Sequence, residues 1–194
     1  MKIFNYQSFV YFILITLVVS HPGYGQIRSF EETLKIAKMQ FKLPEGCVEL
    51  TPVANKSMLY SYSYQDTSAK FEVRYRIDPI TEENKSLESP QSRVTTALAV
   101  MYNISDKSVP IPELAKRIAK VPPEMTKNEY NADDAMMSGQ KITDDFSKEY
   151  TDSFVVYIHK AGVANVWLFV LLNNKEELKN ALQRGVMSAL KFVE

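Results

Sequence analysis

Two runs of strict alternation mark the middle of the chain. Met58, Tyr60, Tyr62 and Tyr64 alternate with Leu59, Ser61 and Ser63. Phe71, Val73, Tyr75 and Ile77 alternate with Glu72, Arg74, Arg76 and Asp78. A period of two places each large apolar set on one face of a strand. The polar segment Gln65 to Lys70 is short enough to join them as an antiparallel hairpin. Burying side chains of this size contributes about 2 kcal/mol each before chain entropy, so the pattern also fixes the register. A second strand pair, Asp152 to His159 and Val163 to Leu172, meets at the turn Lys160-Ala161-Gly162. From Val166 the second of these reads VWLFVLL, apolar at every position, as a strand covered on both faces does. Ala135 to Ile142 predicts one more strand, bent at Gly139. Gln40 to Leu43 and Leu190 to Val193 predict short strands near the two ends.

Helical spacing fills most of the rest. Ser29-Phe30-Glu31-Glu32 has the capping-box arrangement, in which the Ser hydroxyl and the Glu carboxylate each take one free amide. Phe30, Leu34 and Ala37 then predict a helix over 30–39. Ser89-Pro90 is an N-cap followed by Pro at the first helical position, and Val94, Ala97, Leu98 and Met101 form the expected buried stripe. Pro112 opens a third helix carrying Leu114, Ala115, Ile118 and Ala119, which Pro122-Pro123 ends. A last helical turn follows from Pro123 to Tyr130. Asn174 to Glu177 repeats the capping spacing ahead of a closing helix with Leu178, Ala181, Leu182, Gly185, Val186 and Ala189 on one stripe. Pro44-Glu45-Gly46 reads as a turn.

The first 25 residues follow a different logic. Lys2 precedes an uncharged apolar run, Phe9 to Val19, and Gly23-Tyr24-Gly25 puts small residues at the −3 and −1 positions before Gln26. That is the layout of a secretory signal peptide, too short to span a bilayer at roughly 20 residues. The expectation is a signal peptide over 1–25 and one α+β domain over 26–194, exported to a periplasm or the extracellular space.

Composition narrows the function. The whole chain is balanced at 23 basic and 23 acidic residues. This argues against nucleic-acid binding, which needs a basic excess. No apolar run in the rest of the chain reaches spanning length either, so no integral membrane segment is expected once the signal is removed. Cys47 is the single cysteine, which excludes an internal disulfide and favours a buried thiol. It does not follow the apolar run directly, as a lipoprotein anchor would.

Candidate chemistry is sparse. His159 is the one histidine after the signal segment, so no imidazole or thiolate cluster can be assembled and no metal or cofactor is expected. Its place opposite Phe154, Val156 and Ile158 favours a surface or hydrogen-bonded structural role. Asp133-Asp134, Asp144-Asp145, Glu149 and Asp152 form an acidic stretch, but lack the alternating spacing that wraps a calcium ion. No Ser sits in a G-x-S-x-G elbow, Cys47 has no cysteine-protease flanks, and no catalytic set is assigned. The tyrosines Tyr60, Tyr62, Tyr64 and Tyr75 are the one candidate ligand ledge, for a peptide or glycan; the competing reading makes them core. Glu72, Arg74, Arg76 and Asp78 read as a solvated face with cross-strand pairing. Asn55-Lys56-Ser57, Asn84-Lys85-Ser86 and Asn103-Ile104-Ser105 have the N-glycosylation spacing.

The short strand at Phe41-Lys42-Leu43-Pro44, the hairpin, the central helices, the long apolar hairpin and the closing helix ending near Phe192 together resemble the PsbP/Mog1-type domain over about residues 40–193. The resemblance implies an antiparallel sheet with helices packed on it, an α/β/α sandwich. It also implies a non-enzymatic accessory or assembly protein that binds a larger partner, here another envelope protein or complex. A secreted hydrolase with a scattered active site is the alternative.

Overall fold

The computed structural model describes residues 29–193; the expected signal segment lies outside them. The capping box forms as the sequence predicts. Ser29 Oγ accepts from the Glu32 amide and the Glu32 carboxylate accepts from the Ser29 amide, starting α1 (Phe30–Ile36). Nine strands follow in chain order: β1 (Met39–Phe41), β2 (Val48–Leu50), β3 (Tyr62–Asp66), β4 (Phe71–Pro79), β5 (Ala119–Lys120), β6 (Asp134–Lys141), β7 (Asp152–Lys160), β8 (Ala164–Leu172) and β9 (Leu190–Phe192). Between β4 and β5 the chain forms α2 (Pro90–Ile104) and α3 (Ile111–Arg117). The last helix, α4 (Lys175–Gln183), lies between β8 and β9.

Seven strands make one antiparallel sheet in the order β2-β3-β4-β8-β7-β6-β5. It is two meanders, β2-β3-β4 and β5-β6-β7-β8, joined at the centre where β4 pairs with β8. There Val73 lies opposite Val170 and Tyr75 opposite Leu168. Strands β1 and β9 form a separate two-stranded ribbon.

Both faces of the sheet are covered, which defines an α+β protein. On the front face Tyr62, Tyr64, Tyr75, Val156, Leu168 and Val170 pack under α1, the β1–β9 ribbon, the helical segment 123–130 and α4. On the back face α2 lays Ala97, Val100, Met101 and Ile104 over Val155, Tyr157, Trp167 and Phe169. Strand β8 is therefore buried on both sides, as its unbroken apolar run predicts.

Several expectations shift. Strand β3 starts at Tyr62, not at Met58. Val94 is exposed, and the α2 stripe runs instead through Val100 and Ile104. The third helix ends at Arg117, leaving Ala119–Lys120 as an edge strand. Gly139 does not bend β6, which pairs with β7 through it. The closing helix stops at Gln183 because Gly185 takes a left-handed turn (φ 75°), after which a short 3₁₀ turn carries Val186 into the core.

Candidate binding cleft

The charged face of β4 is not solvated. Glu72 and Arg74 are each only 8% exposed, and they pair along their own strand, Arg74 Nε to Glu72 Oε1 at 2.6 Å, instead of across strands. Arg76 and Asp78 repeat the same i,i+2 pairing nearer the surface. The sequence pattern is silent on this because the cover comes from elsewhere in the chain. The irregular segment 51–60 and the loop 143–150 both fold over the back of β3 and β4.

One carbonyl ties these pieces together. Phe146 O accepts from Arg74 Nη1 and from Asn55 Nδ2. The Asn55 side-chain oxygen in turn accepts from the amides of Ser57 and Met58, forming a local turn. Met58 is thereby directed into the back-face core, where its sulfur meets Arg76 Nη1. The Arg74 guanidinium lies between two rings, 4.8 Å from the centre of Tyr60 and 5.1 Å from that of Phe146. A desolvated cation held against aromatic faces in this way gains about 1–2 kcal/mol, which helps offset removing the charge from water.

Between the two loops lies an open cleft of about 510 Å³. Ser63, Gln65, Glu72 and Arg74 make its floor. Val53, Asn55 and Tyr60 stand on one wall, Asp144, Asp145, Ser147 and Glu149 on the other. Ser63 is 1% exposed and its hydroxyl has no hydrogen-bond partner. Beside the cleft, Tyr150 packs on the back-face core. Burial, with Glu72, Glu149 and Glu177 adding to it, pushes its phenol up to about 12.

The four tyrosines of the candidate ledge do not form one surface. Tyr62, Tyr64 and Tyr75 belong to the front-face core, with Tyr64 and Tyr75 fully buried. Tyr62 stacks on Phe30 with ring centres 4.0 Å apart. Tyr60 is on the back of the sheet with Arg74, and its hydroxyl accepts from the Val53 amide. The chain leaves the strand between Tyr60 and Tyr62, so the alternation that unites them in sequence does not hold in space.

His159 is buried, and Nδ1 donates to Asn165 Oδ1 at 2.8 Å, directly across the β7–β8 pair. The same oxygen accepts from the Tyr157 hydroxyl. His159 takes no part in lining the cleft. Cys47 sits in the front-face core. Among the described residues no group of three His, Cys, Asp or Glu side chains is placed to hold a metal ion, and no helix is long and apolar enough to cross a membrane. Neither family models nor curated protein sequences give a match to this chain.

Proposed function

We propose that this is an exported, non-catalytic binding domain of the accessory or assembly kind, and that the cleft above Ser63, Glu72 and Arg74 is its recognition surface. The observation that carries this reading is the floor of the cleft. An ion pair and a hydroxyl are buried at the bottom of an opening to solvent. Apolar side chains of similar volume would often stabilise the fold as well or better. Polar groups kept at the base of a concave site point to recognition. The α+β architecture and the resemblance to PsbP/Mog1-type domains support the same role, and the features of segment 1–25 support export. A secreted hydrolase is the second reading, because Glu72, Asp144, Asp145 and Glu149 all line this cleft.

The test fills the cleft from its exposed wall. Ala54 lines it and is exposed, so Ala54→Trp adds bulk there without touching the core. In a strain lacking the protein, Ala54→Trp is expected to abolish complementation at wild-type protein level and melting temperature. His159→Ala, checked for folding, is expected to complement. Full function in Ala54→Trp would remove the cleft from consideration. Loss of function in a well-folded His159→Ala protein would favour the hydrolase.

A further inference from the structure

The ligand class follows from which atoms on the cleft floor are left over, on the premise that the cleft is the binding surface. Arg74 uses Nε on Glu72 Oε1 and Nη1 on Phe146 O. Among the described residues, no protein partner takes Arg74 Nη2 or Glu72 Oε2. The pair therefore keeps one donor group and one acceptor oxygen while its charges largely cancel. Beside it the Ser63 hydroxyl, buried and unpartnered, can donate and accept, and the Gln65 carboxamide adds one more of each. The register puts these groups side by side: Ser63 faces Arg74 and Gln65 faces Glu72 across β3 and β4. They form a square that mixes donors and acceptors with almost no net charge.

We infer that the cleft binds a neutral, polyhydroxylated ligand, an oligosaccharide. Every sugar hydroxyl both donates and accepts, so vicinal hydroxyls match a surface that mixes the two kinds. An ionic ligand would find the floor already neutralised, and on the wall the exposed carboxylates Asp144, Asp145 and Glu149 stand beside Lys148, where solvent-exposed ion pairs are worth little. A peptide bound by strand addition would need a free strand edge for its backbone. The floor offers none, because β3 is paired with β2 on one side and β4 on the other; the free edge belongs to β2, which meets the cleft only at its rim, at Leu50. Tyr60 on the wall supplies an aromatic ring beside the polar groups, the combination that suits a sugar's apolar C–H face together with its hydroxyls.

The experiment titrates the purified protein with cellotriose, maltotriose and N-acetylglucosamine trimer, and separately with tri-lysine, tri-alanine and tri-glutamate peptides. Binding is read by calorimetry and by backbone amide shifts. At least one trisaccharide is expected to bind and to shift the amides of residues 51–65 and 143–150. Ser63→Ala removes a hydroxyl that has no internal partner, so it is expected to fold with an unchanged melting temperature while weakening that sugar about three- to tenfold. Gln65→Ala, on a half-buried side chain, is the second variant and is expected to do the same. Failure of every trisaccharide at millimolar concentration, or binding unaffected by both substitutions, overturns the inference. If a peptide binds instead and shifts the same amides, the ligand class is wrong while the cleft stands as the recognition surface. If no probe shifts those amides, the inference falls and the cleft reading loses its support with it.

Discussion

Cys47 shows how one residue's chemistry is decided by its neighbours. Burial pushes its thiol up, Asp66 adds to this, and Arg184 works in the opposite direction. The thiolate is the reactive species, so a buried cysteine of raised pKa is inert. Native protein at pH 7 is expected to resist a thiol-specific reagent for hours and to react stoichiometrically once unfolded in urea; immediate labelling of the native form would refute this. Asp66 is held the other way. Burial opposes its ionisation, but hydrogen bonds from the Ser68 hydroxyl and the Ala69 and Ser68 amides, together with Arg184 Nε at 3.0 Å, outweigh it and hold the carboxyl below its usual range. A folded-state pKa below the unfolded value of about 3.9 contributes stability above that pH, and the contribution is lost as pH falls through the lower folded value. Asp66→Asn is therefore expected to cost about 1–2 kcal/mol at pH 7, with the gap to wild type narrowing below about pH 4. Urea denaturation at both pH values measures it, and a gap that widens in acid would contradict the assignment.

At the scale of the element, β8 carries the most weight. It pairs with β4 and β7 along nearly its whole length, and Leu168 lies in the front-face core at 1% exposure. Leu168→Asp places a carboxylate there without a partner, a cost of several kcal/mol, and is expected to yield no cooperatively melting protein. A soluble variant with a sharp thermal transition would show that the strand tolerates solvent. This element was legible in sequence because a strand buried on both faces has no polar positions to conceal it. The capping box at Ser29, the N-cap at Asn174 and the hairpin Tyr62–Pro79 were legible because each signal is complete within a short stretch of chain. The cleft was not. Arg74 and Glu72 look solvated in any local window, since what buries them is Phe146, 72 residues away from Arg74. Tyr60 shares the parity of Tyr62, but the strand starts only at Tyr62 and Tyr60 stays with the irregular segment that holds the turn at Asn55. A signal for that turn was present. Asn55-Lys56-Ser57 reads as an Asn-centred turn as readily as a glycosylation acceptor, and in the structure Asn55 Oδ1 closes that turn while Nδ2 donates to Phe146 O.

The whole molecule is interlocked in a way that no single meander reveals. The helix α2 belongs in sequence to the first meander, yet its buried stripe lies on Val155, Tyr157, Trp167 and Phe169 of the second. The ribbon joins β1, near the start, to β9, near the end. Strand β4 has its partner β8 roughly 90 residues further on. A fragment ending after α2 would expose that helix's apolar stripe and leave β4 as a bare edge. The complementary fragment would lose the cover of its back face and the partner of β8. Exposure of this kind favours aggregation or an unfolded chain over a partial fold. The polar stretch Asp106-Lys107-Ser108 between α2 and α3 is exposed, so the chain can be cut there with little local damage. Expressed apart, residues 26–107 and 108–194 are each expected to show no cooperative thermal transition. Mixed at equal concentration they are expected to recover one, at a temperature that rises with protein concentration because association now supplies the folding free energy. Calorimetry over a hundredfold concentration range makes the measurement. A cooperative transition in either fragment alone would mean that one meander is a domain in its own right, and that the two-sided packing of β8 is not what holds the molecule together.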